Sequence, residues 1–135
     1  MIYTLDTNVI TAMIERNPFT LERWREAILS KTPVTMNAIS YYEIRRGLNL
    51  PTFQRKFQIF QQLIEQQSVL QLDMKSLDLA AEIYQNLRIA GTPLEDADVL
   101  IAATAIRYDA VLVTDNTKHF ARVPHLTLEN WIERS

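Results

Sequence analysis

GTPLEDADVLIAATAIRYDAVLVTDN, residues Gly91 to Asn116, decides the fold. From Asp98 to Arg107 the apolar residues Val99, Leu100, Ile101, Ala102, Ala103, Ala105 and Ile106 occupy every side of a helix, and a helix apolar all round is a buried one. Val111-Leu112-Val113-Thr114 then forms a short apolar run, as expected of a strand covered on both faces. Working outward, Ile2 to Leu5, Pro33 to Met36, Val69 to Leu72 and Leu126 to Leu128 read as further strands. Helices are expected over Thr7 to Ile14, stopping before Asn17-Pro18, and over Phe19 to Leu29. Another opens at Ser40 and ends near Gly47, and a further one is marked by Phe53, Phe57, Phe60, Leu63 and Ile64. Leu77, Ala80, Ile83, Leu87 and Ala90 line a helix face closed by Gly91 and Pro93. This alternation predicts an α/β fold with a central, mainly parallel sheet of about five short strands flanked by helices. No linker or repeat interrupts the chain, so one domain over 1–135 is expected.

Composition narrows the chemistry. The 135 residues are 47% apolar and 22% charged, as in an ordinary globular domain. The absence of cysteine excludes disulfides, thiolate catalysis and cysteine-ligated zinc or iron–sulfur clusters, and it suits a reducing cytoplasm. With only Gly47 and Gly91, neither a Walker A loop nor a G-x-G-x-x-G loop can be written. His119 and His125, six apart with no third partner, have poor zinc spacing. No apolar run approaches the ~20 residues of a membrane span, and Asp6 interrupts the N-terminus before a signal-peptide core could form. Net charge is −2, yet Arg16 to Lys56 holds eight basic and three acidic residues, against six and eleven from Phe57 onward. Such an asymmetry could draw a polyanion towards a site that needs acids, although two solvated helices explain it equally.

Carboxylates are the informative set. In open parallel sheets, sites form beyond the carboxyl ends of the strands; Asp6 follows the first strand and Asp115 the fourth. Each acid has a plain structural alternative. Asp6 or Thr7 could simply cap a helix, Ser40 and Glu43 have the spacing of a capping box, and Asp115 could be a turn residue. Asp98 is harder to set aside, because Glu95, Asp96 and Asp98 supply more acid than one helix start needs. Bunched carboxylates repel one another and are commonly held by a cation. An oxygen-only set suits Mg²⁺ or Mn²⁺, ions that activate water and stabilise charge during attack on phosphorus. Two other acid-dependent classes fail at named positions. A haloacid-dehalogenase phosphatase needs an acid at position 8, which is Asn8, and a response-regulator receiver needs paired acids at the end of the first strand, where residue 5 is Leu5.

Four stretches carry a resemblance: LDTNVI (Leu5 to Ile10), S-x-x-E-I-x-x-G (Ser40 to Gly47), GTPLEDADVLIAATA (Gly91 to Ala105) and LVTDNTKHFARVPHLTLENW (Leu112 to Trp131). Together they resemble the PIN-domain ribonucleases, and within them the VapC-type toxins of bacterial toxin–antitoxin pairs. The resemblance implies a PIN-like three-layer sandwich. It also implies a Mg²⁺-dependent endoribonuclease (Mn²⁺ able to substitute) that leaves a 3′-hydroxyl and a 5′-phosphate. The family's acidic pocket falls on Asp6, Glu43 and Asp98, with Asp6, Asp98 and a later acid holding the metal and Glu43 completing the pocket. Thr7, Asn8, Ser40, Thr114 and Asn116 are similar to the polar residues that support those acids, and Asp96 is a further supporting candidate. One departure stands out. Many relatives carry Asp or Glu immediately before the Phe of the last motif, and this chain has His119 there. Asp115 is therefore assigned as the fourth, metal-side acid, and His119 as auxiliary, an imidazole able to bind Mn²⁺ or to sit near phosphate.

Arg45 and Arg46 follow Glu43 on its helix and could reach RNA phosphate, or equally form a solvated helix end. Trp24, Phe53, Phe57, Phe60 and Trp131 have packing spacing and are expected in the core or a dimer contact rather than as base-stacking platforms. The family's partners are RNA as substrate, a second copy in a homodimer, and a small VapB-like antitoxin occupying the acidic groove, with no membrane. A rival from a different class is a catalytically silent PIN-like protein that binds RNA or an antitoxin without cleaving, a reading that His119 keeps open.

Overall fold

The computed structural model describes residues 1–48 and 51–132. In chain order these form β1 (Ile2–Leu5), α1 (Thr7–Ile14), α2 (Pro18–Leu29), β2 (Val34–Asn37), α3 (Ala38–Gly47) and a 3₁₀ turn (Pro51–Phe53). There follow α4 (Gln54–Gln66), β3 (Ser68–Leu70), α5 (Met74–Ile89), α6 (Asp96–Arg107), β4 (Ala110–Val113), α7 (Thr117–Phe120) and β5 (Leu128–Glu129). The five strands make one sheet in the order β3-β2-β1-β4-β5, and all four pairings are parallel. From β1 in the centre, the chain builds outward first through β2 and β3 and later through β4 and β5. The strand order therefore reverses between β1 and β4, and that is where an open α/β sheet has its crevice.

Side chains alternate across the sheet, as the strand period of two requires. Leu5, Met36 and Val113 face one layer with Val9, Ile10, Met13, Phe60 and Trp131, whereas Leu112 faces the other with Ile83, Leu87, Ile101, Phe120 and Val123. The aromatic expectation divides: Phe60 and Trp131 are fully buried, while Trp24 is half-buried against the first cluster. Residues 101–105 of α6 are all buried, which is why that helix reads as apolar on every side.

The buried stripe of α5 differs from the expectation. It runs through Ser76, Ala80, Ile83 and Leu87, whereas Leu77 is 42% exposed and Ala90 lies outside. Asp73 is the reason: its carboxylate accepts from Ser76 N–H at 2.8 Å, so the helix starts at Met74 and turns Ser76 inward. α7 had no sequence signal, because four residues are too few for a period. No described helix is long and apolar enough to cross a membrane.

Candidate functional site

β1 ends at the switch point, and Asp6 is the next residue. Leu5 pairs with Val113, and Asp6 N–H donates to the Val113 carbonyl at 2.9 Å, so Thr114 comes to lie beside Asp6. Both residues are buried. The Asp6 carboxylate accepts from Thr7 N–H at 2.8 Å through Oδ1 and from the Thr114 hydroxyl at 2.8 Å through Oδ2. Asp6 thus does cap α1, but capping does not exhaust it. Burial pushes its pKa above the ordinary carboxylate value; the Thr114 and Thr7 hydrogen bonds pull it down, and the charges of Asp98 and Glu43 push it up again. Two further acids from distant parts of the chain therefore act on this one carboxyl.

Glu43 arrives from α3. The Thr7 hydroxyl donates to its Oε1 at 2.7 Å, and its side chain is 25% exposed. The capping-box alternative for Ser40 and Glu43 does not form. Asn37 takes the cap instead, accepting Ser40 N–H at 2.8 Å while its own amide donates to the Leu5 carbonyl at 3.2 Å. α3 consequently begins two residues before Ser40, and the buried Ser40 hydroxyl finds no partner among the described residues. Arg46 Nη2 lies 4.0 Å from Glu43 Oε2 and its guanidinium sits over Tyr42, whereas Arg45 covers the Phe57 ring at 4.5 Å. Of the two arginines, Arg46 is the one beside the acids.

Asp98 lies in the first turn of α6, 30% exposed, and its Oδ2 is 2.9 Å from His119 Nε2. Asp96, two residues earlier, is exposed and lines a groove between α5 and α6 with Leu77, Tyr84 and Leu100. Residues two apart on a helix do not share a face, which separates it from Asp98. The fourth strand ends at Val113 rather than Thr114, so Asp115 stands one residue past the position level with Asp6. Its N–H donates to Asn8 Oδ1 at 3.2 Å and its Oδ1 accepts from the Asn130 amide at 3.3 Å. Asn116 N–H donates to the Thr114 hydroxyl at 3.0 Å, which aims that hydroxyl at Asp6. Among the described residues, no three carboxylate or imidazole groups yet stand around one point at ligating distance.

Comparisons with known proteins bear on this geometry. The PIN domain family model matches residues 3–126. A relative, Ribonuclease VapC2 of Rickettsia felis, is 31% identical over 135 residues, covering 97% of this chain and 98% of its own. The chain belongs to the PIN-domain family of VapC ribonucleases. Ribonuclease VapC1 of Haemophilus influenzae is 27% identical over 132 residues, with 97% and 98% covered. Among solved structures, that of VapBC2 from Rickettsia felis bound to a DNA fragment from their promoter superposes with a TM-score of 0.88, at 27% identity over 98% of this chain and 100% of that one. PIN-domain nucleases are in general metal-dependent, and the residues here fit such an ion. Four carboxylates and no thiolate form a hard-donor set. A buried carboxyl pressed by two like charges is short of a counter-charge.

Two residues of this neighbourhood escaped the sequence reading. Asn37, three before Ser40, has N-cap spacing that would have found it. Asn130 reaches Asp115 only because β5 lies beside β4, and no local pattern announces that.

Proposed function

We propose that this chain is an endoribonuclease that hydrolyses RNA phosphodiester bonds with a divalent cation, Mg²⁺ with Mn²⁺ able to substitute, at the crevice between β1 and β4. The observation that carries the reading is Asp6: buried, held by donors on both oxygens, and still raised in pKa by Asp98 and Glu43. Asp6, Asp98 and Asp115 would hold the cation. When bound, it supplies the positive charge that makes a water nucleophilic at neutral pH and offsets charge growing on the phosphoryl oxygens. Thr114 and Thr7 fix the Asp6 carboxylate, with Asn116 steering Thr114. Asn8 and Asn130 fix Asp115 in the same way. Glu43, aimed by the Thr7 hydroxyl, keeps Oε2 available to take the proton of the attacking water. Arg46, beside Glu43, is placed to meet a phosphate of the RNA. The 3′ oxygen leaves, giving a 3′-hydroxyl and a 5′-phosphate.

Around this chemistry we place one nuclease unit over 1–135, acting in the cytoplasm as a homodimer and neutralised by a small VapB-like antitoxin. The exposed Leu77 and Tyr84 on α5 give self-association an apolar surface. A catalytically silent binder is favoured by one observation only, the His119 contact that occupies Asp98. The two readings separate in a thermal-shift titration. Ligand binding to the native state raises Tm, so millimolar Mg²⁺ or Mn²⁺ should stabilise the protein, and Asp98→Asn should remove the shift. Equal melting with and without both cations would favour the silent binder, and a full shift retained in Asp98→Asn would break the shared site.

A further inference from the structure

His119 departs from the auxiliary role expected of it. It stands on α7 at the position where the resemblance puts an acid, with its ring edge-on to the buried Phe120 at 5.7 Å between centroids. That packing leaves Nε2 as the atom facing the acids, 2.9 Å from Asp98 Oδ2. The side chain is 27% exposed, so the contact is partly sheltered from solvent. Two ligands on neighbouring vertices of an octahedral shell, with bonds of about 2.1 Å, lie about 3.0 Å apart. A separation of 2.9 Å thus serves a hydrogen bond and adjacent places around one ion equally well.

We propose that His119 Nε2 is a ligand of the cation held by Asp98, and that it shifts the selectivity of the site from Mg²⁺ towards Mn²⁺. This rests on the acidic-site reading above. Two physical effects act in the same direction. Imidazole is a good donor to first-row transition ions and a poor one to Mg²⁺, which keeps oxygen ligands and water. Exchanging a carboxylate for a neutral ring also takes one negative charge out of the site, which weakens the hold on a hard ion that is bound mainly by charge. Asp6, Asp98, Glu43 and Asp115 still supply oxygen, so either ion binds, but the nitrogen rewards only one of them.

The test reads metal binding directly. Mn²⁺ is added to the full chain, and nitrogen coupling is sought by electron spin-echo modulation, with ¹⁴N-histidine and then ¹⁵N-histidine in the protein. Calorimetry measures the Mn²⁺ and Mg²⁺ affinities of wild type and of His119→Glu, which restores an acid. A histidine-nitrogen coupling that changes with the isotope and disappears in His119→Glu is expected. The Mn²⁺-over-Mg²⁺ affinity ratio should also fall at least about tenfold in that variant. Tight Mn²⁺ binding without histidine-nitrogen coupling, and with a ratio unmoved by His119→Glu, would overturn the proposal and leave the acidic site standing. Wild type that binds neither ion would remove both. The isotope comparison needs no substitution, so a variant that fails to fold does not spoil the test.

Discussion

Both oxygens of Asp6 accept hydrogen bonds, yet burial and the neighbouring Asp98 and Glu43 hold its pKa above the ordinary value. A carboxyl raised in the folded state binds its proton more tightly there than in the unfolded chain. Without metal, its contribution favours folding below the unfolded pKa of ~3.9 and declines as pH rises through the interval up to the folded value. At neutral pH the ionised group is then a liability that a cation relieves. Asp6→Asn keeps a good N-cap residue and removes the charge. In chelator at pH 7 its Tm should equal or exceed that of wild type, while the stabilisation by Mg²⁺ or Mn²⁺ should vanish; scanning calorimetry in both conditions checks this. Glu43 separates two roles in a similar way. Asn37, not Glu43, caps α3, so Glu43→Gln should melt within a few degrees of wild type. Its cleavage rate should nevertheless fall about 100-fold or more, the usual scale for a positioned proton acceptor. A variant as active as wild type would return Glu43 to a structural part.

At the scale of elements, Asn37 joins two of them, because its side chain caps α3 and bonds the last carbonyl of β1 while wholly buried. Asn37→Ala loses the cap and strands a buried carbonyl, and urea unfolding should show a loss of about 2–4 kcal/mol. A loss below about 0.5 kcal/mol would show that α3 has another start. The same residue explains what could and could not be read from the chain. β1, β4 and α6 were legible because burial on all sides leaves uninterrupted apolar runs. The start of α3 was not, because Asn37 and Ser40 both qualify as caps and only the tertiary bond to Leu5 favours the first. Helix ends were blurred by the shortage of glycine. α1, α2 and α6 are followed by Arg16, Lys31 and Asp109 at φ 61°, 59° and 53°, the left-handed conformation that glycine usually announces. Only Gly91, at φ 76°, signals its turn in the sequence.

Across the whole molecule, the strand order β3-β2-β1-β4-β5 is what turns four separated acids into neighbours. Asp6 and Asp115 come from the ends of the two strands that flank the reversal, and Glu43 and Asp98 from the helices α3 and α6. None of those separations, 37 residues from Asp6 to Glu43 and 55 from there to Asp98, is visible as a local pattern. The acids were legible as residue types at strand ends and helix starts, but their meeting place follows from pairings that only the fold supplies. The far edge is closed by Trp131, which is buried against Tyr3 at 5.0 Å between ring centroids and whose carbonyl accepts from Thr20 at 2.8 Å. Arg23 pairs with Glu129, which also accepts from the Trp131 indole at 2.8 Å, so α2 is tied to β5. The central claim is that these acids work together through a divalent cation to cut RNA. The most direct measurement is cleavage of an end-labelled RNA by purified protein, first in chelator and then with Mg²⁺ or Mn²⁺ restored, alongside Asp98→Asn. We expect no cut in chelator, 5′-phosphorylated fragments once the cation is restored, and none from Asp98→Asn. Cleavage that persists in chelator, or that Asp98→Asn performs as well as wild type, would contradict it.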